Sequence, residues 1–531
     1  MIHTSLSRRP ARYHRLANRL RIDQLEQRVL LAADLNFVPL ATSAVIAPTN
    51  SAIEAKPFTM PSTSYVQTII ERHVAPDNLP ENSVAQNTLN ESGPQPGRYL
   101  FTTSSTLTGS LIRTDLYTGE TIDLLAVATA DGQLDGETFA EHLSLQNLSA
   151  IRWTPWGTLL VAEAINGADA GYVEDPDFPN TIAADHGLVY EIVDPTGAAP
   201  VVFGRPALGS GVFEAIAIDA NGQIYLDESV SGAILQFVSG ATDDLSAPGT
   251  LSALLANAGD TGAANWTEIF AGIENLPFTL NSDPASFTSY ADPQGMVIGA
   301  TAQGPTLYVA LRGDLSSRIL AIDLDSDALN PGDQAVINVF ADDTTTDAQT
   351  GLAAGTDFAS RGSLALDSKG RLYVGEQQSL IAGDRGNDVW VAVDNDNDGV
   401  ADKLGRRHSL ATRGDVGTVG FGALVTGLYV NPFNDNELYA NVSGSASQKD
   451  GIFLIESSAL PNTGVFPIVV NGQTTLLVTG TNGSDNIIIS GDNTVKVKIN
   501  SMVYYGAPDL TIVVYGQRGN DRITVTGSVI F

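Results

Sequence analysis

The sequence predicts an all-β fold, a β-propeller of about six blades followed by a small C-terminal β domain. The hairpin from Glu214 to Glu228 alternates apolar and polar residues on both sides of Asn221-Gly222, a pair that supplies the positive φ of a tight hairpin turn. Similar units begin near residues 150, 296, 363 and 427, a spacing of roughly 60–80 residues. A series of β-sandwiches is the alternative, but the repeated Gly-x-Leu/Ile-Tyr-Val/Leu pattern favours blades.

Composition limits the partners that the chain can have. At 531 residues the chain is long enough for more than one domain. Its net charge of −32 argues against nucleic acid and anionic membrane surfaces and favours cations. The absence of cysteine excludes disulfides, thiolate metal ligands and cysteine nucleophiles, and no apolar run reaches the roughly 18–20 residues of a membrane span.

Residues 1–35 differ from the rest of the chain because they are rich in arginine. The heptapeptide from Leu25 to Leu31 (LEQRVLL) resembles the LEPR-XLL sorting motif of large bacterial surface and secreted proteins, with Gln27 in place of the motif's proline. The resemblance implies a targeting segment and a secreted or cell-surface location. An amphipathic surface helix is the alternative for this stretch.

Residues 36–96 are rich in Ser, Thr, Pro, Asn and Ala and show no sustained periodicity. This composition predicts a disordered linker with a short helix near residues 66–72. The propeller is then expected from Gly97 to residue 458.

Aligning the hairpins places glutamates in one column. Glu163, Glu228 and Glu376 each stand in the same position of their hairpin, and Glu214 precedes a first strand. Equivalent blade positions form a ring about a propeller's axis, so these carboxylates are expected near one mouth of the channel. Clustered carboxylates repel one another unless a cation neutralises them, which predicts a hard-metal site. Solvated strand-end glutamates are the alternative. The column before the first strands contains Ser149, Glu214, Gln294, Gly362 and Thr426.

A second acidic pattern spans residues 394–402 (DNDNDGVAD). Alternating aspartates with a glycine at the bend have the spacing of loops that wrap oxygens around calcium, although the glutamate of a full EF-hand is missing. A solvated acidic turn is the alternative. The candidate ligands are Asp394, Asp396, Asp398 and Asp402.

Residues 464–531 predict a separate small β domain. The segments 480–487 (GTNGSDNI) and 516–523 (GQRGNDRI) resemble the RTX nonapeptide repeat, in which glycine turns and an aspartate bind calcium between stacked strands. The resemblance implies Asp485 and Asp521 as calcium ligands, with Thr481 and Gln517 in place of the second glycines.

Four stretches of the central region resemble one enzyme family. They are Trp153-Thr-Pro-Trp-Gly-Thr-Leu-Leu-Val-Ala-Glu163, His186-Gly-Leu-Val-Tyr-Glu-Ile-Val-Asp-Pro195, Ala207 to Asp219, and Val425-Thr-Gly427 with Asn431 to Asp435. Together they are similar to the PhoX-type alkaline phosphatases, secreted propeller enzymes that cleave phosphate monoesters with calcium and iron. The resemblance covers residues 97–458 and implies Glu214 as a metal ligand, with Glu163 and Glu228 as acidic residues of the site.

This chain departs from that family's pattern at several metal positions. Ala162 stands where the family has an iron-bridging cysteine, and Gln294 and Gly362 stand where it has acidic ligands. Leu424 and Phe213 replace a further glutamate and a histidine. These departures imply either a site with calcium and without iron, or an inactive site.

The function expected from the sequence is calcium-dependent hydrolysis of phosphomonoesters, with calcium held by Glu163, Glu214 and Glu228. The alternative is a non-catalytic calcium-binding surface or matrix propeller, so the sequence alone does not decide whether the chain is an enzyme. Arg205, Arg312 and Arg361 are candidate phosphate-binding side chains, with structural roles as their alternative. The six histidines show no zinc-ligand spacing, and no Gly-x-Ser-x-Gly elbow or phosphate loop appears.

Overall fold

The fold is built almost entirely of antiparallel strands. The computed structural model describes residues 35–44, 56–73, 84–93, 95–105, 109–130, 145–165, 172–174, 182–184, 187–241, 244–245, 247, 249–257, 259, 261–271, 287–300, 304–313, 317–324, 334–359, 361–377, 387–410, 424–443, 450–457, 464–470, 473–480, 484–491, 495–500, 502–506, 511–515 and 522–527. The LEQRVLL motif, His186 and Asp521 lie outside the described residues.

The first three blades follow two strands that precede them in the chain. These two strands are β1 (Phe58–Thr59) and β2 (Tyr65–His73). Blade one contains β3 (Val84–Leu89), β4 (Tyr99–Ser104), β5 (Ser110–Asp115) and β6 (Thr121–Asp123), followed by the one-turn helix α1 (Leu124–Val127). The next strand, β7 (Thr129–Ala130), is the outermost strand of blade two, where it pairs parallel with residues 201–202. Blade two contains β8 (Leu148–Trp153), β9 (Leu159–Glu163), β12 (Val189–Val193) and β13 (Val201–Gly204), with the small hairpin β10 (Tyr172–Glu174) and β11 (Ile182–Ala184) inserted. Blade three contains β14 (Ile216–Ile218), β15 (Ile224–Glu228), β16 (Ala233–Ser239), β17 (Gly249–Ala256) and β18 (Gly262–Ala271).

The other three blades repeat this plan. Blade four contains β19 (Pro293–Ala300), β20 (Pro305–Leu311), β21 (Arg318–Asp323) and β22 (Gln334–Ala341). Blade five contains β23 (Arg361–Leu366), β24 (Leu372–Glu376), β25 (Asn387–Val393) and β26 (Lys403–Leu410), and β1 pairs with its outer edge. Blade six contains β27 (Leu424–Val430), β28 (Glu437–Ser443) and β29 (Asp450–Ser457). Two short 3-10 helices span Pro206–Leu208 and Gly355–Asp357.

The first strands of the six blades form a closed ring. Each of β3, β8, β14, β19, β23 and β27 contacts the next, and β27 contacts β3 again. A ring of six inner strands, each leading outward into an antiparallel sheet, is a six-bladed propeller. The predicted fold class is therefore confirmed. Blades three and four are also joined at their outer edges, because β18 pairs with both β17 and β22.

The hydrophobic cores lie between neighbouring blades because the two faces of each blade bury alternate residues. On β15, Leu226 packs with Leu160 of blade two, whereas Tyr225 packs with Val309 of blade four. The strands consequently read as nearly continuous apolar runs, and β9 is buried along its whole length.

The N-terminal strands correct the prediction of a disordered linker over residues 36–96. β2 pairs antiparallel with β29 and supplies the fourth strand of blade six, so the segment expected to be helical at residues 66–72 is a strand. β3 is the inner strand of blade one, which places the start of the propeller before Gly97. The prediction failed because the sequence of β3 (VAQNTL) is polar and lacks the apolar pattern of a buried strand. Its buried Asn87 is instead satisfied by hydrogen bonds with Asn441.

The C-terminal residues form two small sheets, as expected for a separate β domain. Their strands are β30 (Gly464–Val470), β31 (Gln473–Thr479), β32 (Asn486–Gly491), β33 (Val495–Ile499), β34 (Met502–Gly506), β35 (Thr511–Tyr515) and β36 (Arg522–Gly527). The strands that flank the two RTX-like segments pair in parallel, β31 with β35 and β32 with β36. Within the described residues, no helix has the length and apolar character needed to cross a membrane.

Candidate axial site

β-bulges at the start of the inner strands bring polar side chains to the propeller axis. In five blades the pairing of the first two strands shifts register there, which leaves one or two residues unpaired. A bulge re-aims a side chain out of the ladder. The unpaired positions include Gln86, Ser149, Gln294, Gly362 and Thr426, and Glu214 precedes β14 at the corresponding place in blade three. We call these six residues the bulge ring; five of them form the column expected from the sequence.

Hydrogen bonds between blades join the bulge ring. Ser149 Oγ of blade two donates to Glu214 Oε2 of blade three at 2.5 Å. Gln86 Nε2 of blade one donates to the Glu214 carbonyl at 2.5 Å, and Thr426 Oγ1 of blade six donates to the Val84 carbonyl at 2.6 Å. Four of the six blades thus meet through polar contacts at one mouth of the channel, which we call the axial mouth.

Glu214 is the carboxylate at the centre of these contacts. Burial raises its pKa above the ordinary value, since desolvation disfavours the charged form. The hydrogen bond from Ser149 and the charge of Arg312 oppose that shift, whereas Asp292 adds to it. Glu214 therefore binds a proton more tightly than a solvated glutamate does.

Arg312 supplies the positive charge of the axial mouth. Its Nε lies 2.8 Å from Asp292 Oδ2, and both side chains are 37% exposed. Its Nη1 also donates to Gln377 Oε1 at 3.4 Å, and Gln377 Nε2 donates to the Thr426 carbonyl at 3.3 Å. This chain of contacts leads from blade four through blade five to blade six and leaves part of the guanidinium open to a ligand.

Three residues that differ from the phosphatase-like pattern have structural roles in this fold. A Cβ at Gly362 would lie 2.2 Å from Gln377 Cδ, so glycine leaves the space that Gln377 occupies. Gln294 Nε2 donates to Asp292 Oδ1 at 2.8 Å and helps to hold the partner of Arg312. Ala162 is fully buried in the core between blades two and three.

The three strand-end glutamates bind backbone amides of their own blades. Glu163 accepts from the N–H groups of Gln146 and Gly187, both at 2.7 Å. For each glutamate one donor precedes the blade's first strand, and another lies just before the third strand in blades two and three or within it in blade five. Glu228 accepts from Val212 and Ser231, and Glu376 accepts from Ala359, Asp388 and the indole of Trp390. We call this repeated arrangement the glutamate clasp.

The glutamate clasps give a structural explanation for the column of glutamates. Their hydrogen bonds also occupy carboxylate oxygens that a shared metal ion would need as ligands. In the described part of the chain, the one group of three or more acidic or imidazole side chains with ligand atoms within 4.8 Å of one another is Asp394, Asp396 and Asp398. Glu163, Glu214 and Glu228 do not come together at that distance. Their predicted role as common ligands of one calcium ion stays a prediction.

The acidic loop joins β25 to β26 at the outer part of blade five. Besides the three converging carboxylates, Asp402 closes the loop by accepting from the Asn395 N–H at 2.6 Å. Asn397 and Gly399 have positive φ values of 58° and 85°, as a tight loop requires. Burial raises the pKa of Asp394 to about 6, with the charge of Asp398 as a further contribution.

The C-terminal candidate ligands are only partly described. Asp485 is buried and accepts from Asn500 Nδ2 at 2.6 Å, and its carbonyl accepts from the Arg522 N–H at 2.8 Å. These bonds link Asp485 to the residues at the end of β33 and at the start of β36. Asp521 lies outside the described residues, so the predicted pair of ligands stays a prediction.

Of the three arginines singled out for phosphate, Arg312 alone lies at the axial mouth. Arg205 forms an ion pair with Glu191 at 2.6 Å, and Arg361 is buried against the ring of Phe358.

Sequence reasoning missed Gln86, Gln377 and Asp227 as contributors to this site. Asp227 Oδ1 accepts the backbone N–H groups of Glu214 and Ala215 at 2.9 Å and 2.7 Å. The one signal for Asp227 is that it is a charged residue in β15, a strand that is buried along its whole length.

Comparisons with known proteins find only distant structural similarities. No protein-family model matches the chain, and no curated protein matches it at a significant level. Among solved structures, it is similar to an auxiliary nutrient binding protein from Bacteroides thetaiotaomicron (9% identity, 78% of this chain and 76% of that chain, TM-score 0.39). It is also similar to a gluconolactonase from Xanthomonas campestris (12%, 79% and 96%, 0.37) and to the β-propeller domain of Cps50 (Swd1) from Myceliophteria thermophila (11%, 73% and 99%, 0.34). The fold assignment rests on the closed ring of inner strands.

Proposed function

We propose that the axial mouth hydrolyses a small phosphomonoester, with Glu214 as general base and Arg312 as the phosphate-binding group. The observation that carries the proposal is the position of Glu214, a carboxylate of raised pKa, in a polar mouth that also exposes a guanidinium. A catalytic base works best when its pKa lies near the working pH, and burial is the usual means of raising that of a glutamate.

The reaction can be written with the chain's own groups. Glu214 takes a proton from water, the water oxygen attacks phosphorus, and the P–O bond to the leaving group breaks. The proton then passes from Glu214 to the leaving oxygen, so that an alcohol and phosphate are the products. Arg312 binds the phosphoryl oxygens, and Ser149 orients Glu214 through its 2.5 Å hydrogen bond.

A calcium ion is part of the proposal because the protein is strongly acidic. A net charge of −32 repels a phosphate ester over the long range, and a bound cation would reduce that repulsion. The acidic loop is the group of residues that fits calcium best, since its three carboxylates converge and hard oxygen ligands suit this ion. The resemblance of residues 25–31 to a sorting motif supports secretion or display at the cell surface.

The deciding experiment compares wild type with Glu214→Gln on para-nitrophenyl phosphate, with and without calcium. Glu214→Gln preserves the shape of the side chain and removes the base, so we expect loss of activity without loss of folding. Glu120→Gln, in the exposed β5–β6 turn, is the matched control and should retain full activity. Equal activity of wild type and Glu214→Gln would refute the assignment of the base.

The second candidate is a non-catalytic calcium-binding surface protein, favoured by the convergence of Asp394, Asp396 and Asp398. This function requires the acidic loop but not Glu214. Absence of hydrolysis by wild type, together with calcium binding that Asp396→Ala abolishes in calorimetry, would establish it over the phosphatase. Unchanged calcium binding by Asp396→Ala would exclude the loop as the site.

A further inference from the structure

Two strands of the small C-terminal domain have an unpaired edge. Among the described strands, β35 pairs with β31 alone and β36 pairs with β32 alone. Each is therefore the outermost strand of its sheet, and its outer side presents backbone N–H and C=O groups that a further strand can pair. We call the outer sides of β35 and β36 the open edges.

The hydrophobic core of the domain continues to the open edge of β36. Residues that are in register in a parallel pair lie on the same face of the sheet. Ile523 is in register with Ile487, and Val525 is in register with Ile489. Ile487 and Ile489 are fully buried in the core of the domain, whereas Ile523 is 49% exposed and Val525 is 39% exposed. The core face is therefore incompletely covered at β36.

The open edges lack the residues that usually protect an edge strand from association, which are charged residues and proline. β35 (TIVVY) has neither, and β36 (RITVTG) has one charge, at Arg522. The strands on the other side of the two sheets are different. β30 contains Pro467, which has no N–H to donate, and β33, beside β34, exposes Lys496 and Lys498.

The distribution of charge favours a second copy of this chain as the molecule that covers the open edges. Residues 464–531 contain four acidic and four basic residues, whereas the whole chain contains 60 acidic and 28 basic residues. The small domain has no net charge, and the negative excess lies in the rest of the chain. Two copies of so acidic a chain repel one another, and this repulsion is weakest where the two neutral domains meet.

We propose that two copies of the chain associate through the open edges of their C-terminal domains. A strand and its copy across a two-fold axis run antiparallel, so the two β36 strands can exchange backbone hydrogen bonds. This pairing covers Ile523 and Val525 of both copies. β35 has five residues and β36 has six, which makes the interface small, so we expect a reversible dimer with a dissociation constant in the micromolar range. The proposal does not depend on the chemistry of the axial mouth.

The test is sedimentation velocity of the full chain from about 1 to 100 μM, where wild type should change from monomer to dimer. Ile523→Lys places like charges at the contact and should weaken association by about tenfold or more. Because Ile523 is half exposed, the lysine can reach solvent in the monomer. Val503→Lys is the matched control, since Val503 is 43% exposed on β34, at the other edge of the same sheet. This variant should dimerise as wild type does.

Two further measurements support the assignment of the contact. Added salt screens the repulsion between the acidic parts of the two copies, so it should strengthen the dimer. Amide hydrogen exchange of residues 522–527 should be slower at high than at low concentration in wild type, and equal at both in Ile523→Lys. If Ile523→Lys does not fold, Val525→Lys must weaken association in the same way.

The proposal fails if the chain associates differently or not at all. A wild-type chain that stays monomeric at about 100 μM would exclude a second copy as the occupant of the open edges. Assemblies larger than a dimer, or loss of association in Val503→Lys, would indicate head-to-tail contacts between opposite edges. Dimers that persist in both Ile523→Lys and Val525→Lys would place the contact elsewhere, and dimers that salt weakens would indicate a contact between opposite charges.

Discussion

Ser149 Oγ and Glu214 Oε2 lie 2.5 Å apart across the seam between blades two and three. Ser149 lies in the bulge of blade two, and Glu214 precedes the first paired residue of β14, so neither residue occupies a regular ladder position. The axial site is therefore a product of the irregular starts of the inner strands.

Removing this bond should strengthen Glu214 as a base. Because the hydrogen bond from Ser149 lowers the pKa of Glu214 against the effect of burial, Ser149→Ala should raise that pKa. The acidic limb of any pH–rate profile should move to higher pH, and a carbon-13 titration should show the same shift. A profile that moves to lower pH would contradict the arrangement described.

Glu214 should also make stability depend on pH. Its pKa is raised above the ordinary 4.5 in the folded chain, so the folded state binds the proton more tightly than the unfolded state. This contribution is complete below pH 4.5 and is lost as the pH rises through the folded pKa. In urea unfolding, Glu214→Gln should equal wild type near pH 4 and gain relative stability toward pH 7; parallel curves would argue against a raised pKa.

The glutamate clasps should be needed for stability. Replacing Glu376 by Ala leaves two backbone amides and the Trp390 indole without their acceptor in a buried place. Each unsatisfied buried donor costs about 1–3 kcal/mol, so a loss of about 3 kcal/mol or more is expected in denaturant titration. Glu120→Ala, on an exposed turn, should change stability by less than about 0.5 kcal/mol.

Calcium removal should lower the melting temperature. An ion bound only by the folded state stabilises it by mass action, and the loop that would hold it joins two strands of blade five. Asp396→Ala should reproduce part of the loss seen in excess EGTA and should be insensitive to further chelation. Identical melting curves with and without EGTA would remove calcium from the account of stability.

The N-terminal strand should be required to complete blade six. A chain that starts at residue 84 lacks β2 and leaves the edge of β29 unpaired, and exposed edges promote association. We expect a lower melting temperature and aggregation in size-exclusion chromatography. A chain that starts at residue 35 retains β1 and β2 and is the control; equal behaviour of both chains would show that β2 is dispensable.

The sequence predicted the regular parts of this fold more readily than its irregular ones. Hairpins such as residues 214–228 follow a two-residue period that is visible in single segments, and the column containing Ser149 and Thr426 followed from their repetition. β3 escaped prediction because Asn87 is buried through a bond to Asn441, a partner far along the chain. Asp227 escaped for the same reason, since its role depends on where the ladder of blade three begins.

The pairing of β2 with β29 has a consequence for synthesis at the ribosome. About 380 residues separate Tyr65 from Asp450, and at roughly 5–20 residues per second that length takes on the order of 20–80 s to make. For that interval the N-terminal strand has no partner strand, and blade six does not exist. Blade six is complete only after translation has passed residue 457, so β2 lacks its partner strand throughout this delay.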